Sequence, residues 1–287
     1  MTREAKIASA LREQMHRPDV RERDLHKLGE STYRLCSHPS WFLKWMAEDD
    51  ARGANEIAMN RTLLQDGTID VPQWIGVATL PDGKIACWEW LDGVDLRDRR
   101  ERLPEAFAQI GRFHRRHRHR GTVFSLIDHR AYPSVEALLE GEADLLCRQY
   151  NEAACGRIRA IFAQLRIGYS TIIHGDFHPG NLRLADGRLK VVDWGFCASS
   201  LNLFELGYVE AMEPCRQEWW RIRCEEAEAV LATYYRAAGL EGVDFRAVHR
   251  AVMLWAELWA YANGRERGFV EETETSRQRI KRLLARS

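Results

Sequence analysis

The chain has 287 residues, 45% of them apolar and 29% charged, and its 42 Lys and Arg are balanced by 42 Asp and Glu. This is the composition of an ordinary globular protein long enough to divide its core between two lobes. Zero net formal charge excludes a general electrostatic attraction to nucleic acid or to an anionic membrane, so a charged partner has to be held locally.

No uncharged apolar stretch approaches the roughly 18 residues that a membrane helix needs. The opening MTREAKIASALREQMHR carries charges where a signal peptide carries an apolar core, so a cytoplasmic location is expected. Residues 2–17 place Ile7, Ala8, Leu11 and Met15 at helical spacing, with Pro18 as a stop. LHKLGES, TYRLCS and SWFLKWM then read as short strands of a meander, turning at Gly29-Glu30-Ser31 and His38-Pro39-Ser40. Helical spacing returns from Arg52 to Leu64, and strands follow on either side of Pro81-Asp82-Gly83. Beyond Gly93 the pattern is mostly helical, with amphipathic stretches at 104–118, 134–149, 153–166, 216–237 and 245–262. The exception is TIIHGDFHPGNLRL at 171–184, which runs into a hairpin signal at Ala185-Asp186-Gly187-Arg188. The expected class is α+β, a small antiparallel-sheet lobe followed by a larger, mostly helical one. The seven cysteines (Cys36, Cys87, Cys147, Cys155, Cys197, Cys215 and Cys224) include no C-x-x-C pair, so reduced thiols are expected rather than a disulfide framework or zinc knuckle.

Chemistry concentrates in HGDFHPGN. Asp176 and Asn181 stand five residues apart in a loop that Pro179 and Gly180 keep from becoming helical, and Asp193 ends a strand twelve residues further on. Any one of these could simply decorate a loop. In this order and spacing they match the kinase apparatus, H-R-D-x-x-x-x-N followed by D-F-G, with Gly175 for the arginine and Trp194 for the phenylalanine. Mg²⁺ takes hard oxygen ligands, so Asn181 and Asp193 form a metal seat and Asp176 is left to orient or deprotonate a hydroxyl.

HGDFHPGN and DWG resemble the aminoglycoside phosphotransferase and choline kinase family, whose loops read H-G-D-[LF]-H-x-x-N and often D-W-G. The resemblance implies a bilobal protein-kinase-like fold, with residues 1–91 as the nucleotide lobe and 92–287 as the helical acceptor lobe. It implies ATP or GTP with Mg²⁺ as cofactors, Asp176 as catalytic base, and Asn181 and Asp193 as metal ligands. Lys44 in WFLKWM would support the nucleotide phosphates and Glu56 would hold Lys44. Backbone groups of Glu89 and Leu91, in the connection IACWEWLDG, would meet the base. Ser31 would face phosphate oxygens from a loop that has only Gly29 where protein kinases have several glycines. The family's D-P-x-x-D-L is replaced by LNLFELG, which puts Glu205 where an aspartate normally braces the catalytic loop.

Other conspicuous stretches have plainer readings beside the functional ones. RFHRRHRHRG at 112–121 reads as a solvated helix end rather than a nucleic-acid or metal patch. Trp88 and Trp90 suit either core packing or contact with the nucleotide, and Trp219, Trp220, Trp255 and Trp259 suit either core packing or an aromatic wall for a sugar or a quaternary amine. Glu136, Glu140, Glu142 and Asp144, with Glu271, Glu272 and Glu274, suit a solvated face or a cationic acceptor. A protein kinase and a catalytically silent nucleotide-binding regulator remain alternatives, although no A-P-E segment follows Asp193 and every catalytic group is present. The acceptor stays open among amino sugars and related antibiotics, choline-like amines, amino alcohols and sugars, as does the oligomeric state. No nucleic-acid or membrane partner is expected.

Overall fold

The computed structural model describes residues 1–37, 39–62, 66–209, 222 and 224–285. His38, Leu64, Cys215, Trp219, Trp220 and the side chain of Glu272 lie outside the described residues. The chain divides into two compact units, Met1–Val94 with Arg183–Phe196, and Asp95–Leu182 with Cys197–Ser287. The first unit thus takes in a hairpin that the expected 92–287 lobe would include.

The first unit opens with helix α1 (Arg3–Gln14), whose first turn is capped by the Thr2 hydroxyl accepting from the Ala5 N–H. Strands β1 (Leu25–Lys27), β2 (Thr32–Leu35) and β3 (Trp41–Ala47) follow, then helix α2 (Ala51–Thr62) and strands β4 (Trp74–Leu80) and β5 (Gly83–Glu89). The strands form one antiparallel sheet in the order β1-β2-β3-β5-β4. Alternation along β3 divides its side chains between two cores. Leu43 and Trp41 join Tyr33, Leu35, Ile85 and Cys87 in packing against Ile7, Ala8 and Leu11 of α1. Met46, with Phe42, packs on the other side with Ile57 of α2, Ala86, Trp88 and Trp74. Gly83 has no substitute at the β4–β5 turn, because a Cβ there would lie 2.2 Å from the Met46 carbonyl oxygen. A short strand β6 (Gly93–Asp95) ends this stretch.

In chain order there follow helix α3 (Leu103–Arg116), strands β7 (Val123–Phe124) and β8 (Ala131–Tyr132), helices α4 (Val135–Cys147) and α5 (Glu152–Ala163), and strand β9 (Ser170–Ile173). Strands β10 (Leu182–Ala185) and β11 (Arg188–Val191) form the expected hairpin, and β6 adds to it in the order β11-β10-β6. Asp186 and Gly187, at φ 51° and 73°, both take the left-handed conformation that a two-residue type I′ turn requires. Strand β12 (Ala198–Leu201) pairs antiparallel with β9 and leads into a 3-10 segment, Asn202–Tyr208. Helices α6 (Cys224–Ala237), α7 (Phe245–Arg267) and α8 (Val270–Ala285) complete the second unit. Phe107, Ile110 and Phe113 line the buried face of α3, and Gly111 lets that helix approach α6, where a Cβ would meet the Tyr234 carbonyl and the Ala237 side chain at 3.0 Å.

Candidate active site

Period-two alternation on β3 puts Lys44 between Phe42 and Met46, on the face that meets α2. Glu56 is on the buried side of α2, 5% exposed, and its carboxylate lies 2.9 Å from the Lys44 ammonium. Asn60, one turn later, donates to the Glu56 carbonyl and accepts from the Trp88 indole N–H, which ties α2 to β5. Trp88 is therefore a core residue. Lys44 also stands 2.8 Å from Asp193, which follows β11 and takes φ 63°. Burial works against the charge on Lys44, but Glu56 and Asp193 outweigh it and hold the ammonium protonated above its usual range. Asp193 is 45% exposed, so the Lys44 contact does not enclose its carboxylate. Arg52 of α2 lies over the ring of Phe196, 4.0 Å from its centroid, and packs the helix start against the 3-10 turn Trp194–Phe196.

The other residues of the expected nucleotide lobe fall in this unit too. Ser31 sits in the β1–β2 turn, its carbonyl accepts from the Trp45 N–H at 2.7 Å, and its neighbour Thr32 is the register partner of Lys44. Glu89 ends β5; its N–H goes to the Gln73 carbonyl and its carboxylate pairs with Lys190. Leu91 lies two residues on, in the irregular stretch before β6. Trp90 is covered by the Arg34 guanidinium, 4.2 Å from its ring centroid.

In the second unit, β9 ends at Ile173 and the chain turns through Gly175 at φ 79°. An arginine side chain would be strained in that conformation, which accounts for glycine here. Asp176 follows. Its carboxylate accepts from the Asn181 amide at 3.0 Å and from the Tyr208 hydroxyl. The same amide nitrogen donates to the Asp176 carbonyl at 2.9 Å, which leaves the Asn181 amide oxygen as its ligand atom. That hard oxygen and the Asp193 carboxylate are the donor types a Mg²⁺ ion takes, so both residues fit the expected role. The Nδ1 atom of His178 accepts from the Gly180 N–H, so His178 serves the loop, and its Nε2 stands 3.6 Å from Asp176. Burial works against the charge on Asp176, but His178 and Tyr208 outweigh it and hold the carboxyl below the usual aspartate range.

The segment Asn202–Tyr208 explains how this loop is held. A 3-10 helix has three residues per turn, so Asn202, Glu205 and Tyr208 share one face. Asn202 accepts from the Tyr169 N–H at 2.9 Å, Glu205 from the His174 and Gly175 N–H groups at 2.6 and 3.0 Å, and Tyr208 reaches Asp176. Glu205 thus braces the loop in place of the expected aspartate. Behind it, His114 stands 3.3 Å from Glu205 and 2.8 Å from the Tyr234 hydroxyl. His114 is fully buried, unlike the exposed arginines around it, which corrects the reading of 112–121 as wholly solvated. Sequence reasoning passed over Tyr208, and the available signal was the three-residue spacing of Asn, Glu and Tyr in NLFELGY.

Beside this loop an open pocket is lined by Gly175, Tyr208, Phe204, Trp255, Trp259, Glu257 and Arg279, among others. Trp255 stacks on Phe204 with centroids 3.7 Å apart and planes at 9°. Both expected tryptophans of α7 therefore contribute to a wall. Of the acidic residues expected on a solvated face, Glu136, Glu140, Glu271 and Glu274 are exposed. Glu142 is the correction. It falls on the apolar stripe Val135-Leu138-Leu139-Leu146 of α4, is fully buried, and accepts from the Ser125 hydroxyl at 2.7 Å.

No curated protein sequence matches the chain. Solved structures with the same fold include a putative fructosamine-3-kinase from Haemophilus somnus 129PT, 14% identical over 97% of each chain with a TM-score of 0.65. The GDP complex of aminoglycoside 2'-phosphotransferase-IIIa is 14% identical over 99% of each chain, with a TM-score of 0.62. Amicoumacin kinase hAmiN, in complex with AMP-PNP, Ca²⁺ and Ami, is 15% identical over 98% of this chain and 96% of its own, with a TM-score of 0.58. At these identities the likeness shows the protein-kinase-like fold. The profile of the APH phosphotransferase enzyme family matches residues 31–255, a span that runs from the β1–β2 turn through Lys44, the HGDFHPGN loop and DWG to Trp255, and the chain belongs to that family and is a phosphotransferase.

Proposed function

We propose that the chain transfers the γ-phosphoryl group of ATP or GTP to a hydroxyl of a small molecule, with Asp176 orienting that hydroxyl. The observation that carries this reading is the setting of Asp176: an ionised carboxylate, mostly buried, fixed by Asn181 and Tyr208 in a loop whose backbone is pinned by Glu205. Phosphoryl transfer asks a protein mainly for positioning and charge neutralisation. Lys44, steadied by Glu56, supplies a firmly protonated cation for phosphate oxygens. Ser31, in the turn just before Thr32, the register partner of Lys44, would offer further donors, and the main chain of Glu89 and Leu91 would meet the base. Asn181 and Asp193 would hold Mg²⁺, which when bound neutralises charge on the phosphates. Because its pKa is low, Asp176 is a weak base, suited to fixing the hydroxyl and taking its proton late.

Residues 1–91 as a nucleotide lobe and 92–287 as an acceptor lobe remain the functional division in this reading. Family relatives solved with GDP, AMP-PNP or an antibiotic support a nucleotide and a small acceptor. A coupled ADP-release assay over hydroxylated metabolites and antibiotics tests the proposal, with Asp176→Ala as comparison. Turnover should fall by about 10³-fold or more while nucleotide binding persists; unchanged turnover in Asp176→Ala would overturn the role given to that residue.

A further inference from the structure

We propose that Cys147 and Cys155 form a dithiol site for low-molecular-weight disulfides, which convert the pair to an intrachain disulfide bond between α4 and α5. The two residues stand eight positions apart, on either side of the connection between these helices. Cys147 is the last residue of α4, and the Arg148 N–H, donating back to the Asp144 and Leu146 carbonyls, closes that helix. The Asn151 side chain accepts from the Ala154 N–H and starts α5. The chain thus reverses within residues 148–151, and the last turn of α4 faces the first of α5.

Two sets of contacts fix the register of this hairpin. Each thiol meets the backbone of the other residue: Cys147 Sγ lies 3.8 Å from the Cys155 carbonyl oxygen, and Cys155 Sγ 3.4 Å from that of Cys147. One turn away on both helices, Arg159 donates to Asp144 at 2.6 Å. Residues three or four apart share a helix face, so this ion pair and the two sulfurs lie along one seam. A thiol is a weak donor, and the Cys147 carbonyl also accepts from the Tyr150 N–H at 3.1 Å, so little holds either sulfur where it is. Rotation about the two Cα–Cβ bonds turns them toward each other. Both side chains are half-buried, which leaves them open to a small disulfide.

Burial and the neighbouring Cys155 thiol push Cys147 up to about 11, which makes it a poor initiator and leaves it the resolving thiol. The Cys155 thiolate attacks one sulfur of the small disulfide, forms a mixed disulfide and expels the other half as a thiolate that takes up a proton. Cys147 then gives up its proton and attacks the Cys155 sulfur; the Cys147–Cys155 bond forms, and the second half leaves as a thiolate that takes that proton. Two protein thiols are oxidised and one small disulfide is reduced to two thiols, with no other reactant.

Oxidised glutathione is the probe, used on the full folded chain. Trypsin then cuts after Arg130, Arg148 and Arg157, which puts Cys147 in peptide 131–148 and Cys155 in peptide 149–157. The expected product is these two peptides joined, with their summed mass less two hydrogens, and dithiothreitol should separate them. Cys147→Ser should instead carry a lasting glutathione on Cys155. Because the fold holds the two thiols together, the native chain at fixed reduced glutathione should be half-oxidised at an oxidised glutathione concentration about 10-fold or more below that for the chain unfolded in urea. Recovery of the two peptides only singly from the native chain, their linkage to other cysteines instead, or the same midpoint in urea and in buffer would each overturn the proposal. Peptide mapping of the wild type needs no variant, so it decides even where Cys147→Ser does not fold.

Discussion

Asp176 shows how a partly buried carboxylate stays charged. Burial alone would raise its pKa, and the His178 imidazole and Tyr208 phenol reverse that. A group with a lowered pKa keeps its ionised form through neutral and mildly acid pH and loses it only as pH falls through the lowered value. Under the proposed mechanism, activity should therefore persist on the acid side until other groups fail. Tyr208→Phe removes the phenol donor while keeping the ring against His178. Turnover at neutral pH should drop about 10-fold, the scale of one hydrogen bond to a charged group, and the acid limb of the kcat/KM profile should move to higher pH. A slower enzyme whose acid limb has not moved would mean that Tyr208 supports the fold of the loop rather than the charge of Asp176.

At the scale of elements, α4 and the Asn202–Tyr208 segment carry polar groups into the interior by keeping strict periods. Glu142 occupies an apolar-stripe position of α4, where its carboxyl has Ser125 for a partner and a pKa pushed up to about 8. A carboxyl whose folded pKa exceeds its unfolded value favours folding in the protonated form, so its contribution is present below about pH 4.5 and is lost as pH rises toward about 8. Glu142→Gln keeps the volume and an acceptor for Ser125 but cannot ionise. The variant should match the wild type near pH 4 and be more stable above pH 8, by about 5 kcal/mol at most. Urea denaturation at pH 4.5, 6.5 and 8.5 measures the gap, and a gap that does not widen with pH rules out Glu142 as its source.

For the molecule as a whole, the sequence was informative where chemistry is local. The succession of elements in the first unit, the Asp186-Gly187 hairpin and the loop around Asp176 follow from period, turn residues and spacing, whereas the pairing of β5 with β3 does not. What it left unread depends on partners distant in the chain. Tyr208 belongs to a three-residue period that neither the helical nor the strand pattern detects, and the burial of His114 and Glu142 is decided by Tyr234, Glu205 and Ser125. The division into two units likewise depends on tertiary contacts, which bring the hairpin Arg183–Phe196 together with Met1–Val94 and so put Lys44, Glu56 and Asp193 in one unit. That grouping makes a prediction for the intact chain. A nucleotide that binds only the folded form at 100 times its Kd stabilises by about 2.7 kcal/mol, or several degrees in Tm at this length. ATP or GTP with Mg²⁺ should therefore raise Tm more than either does with EDTA, and the nucleotide giving the larger rise identifies the preferred donor. Asp193→Ala should remove the Mg²⁺-dependent part of the rise while Asp176→Ala retains it; a Tm indifferent to both nucleotides at millimolar concentration would refute the nucleotide reading itself.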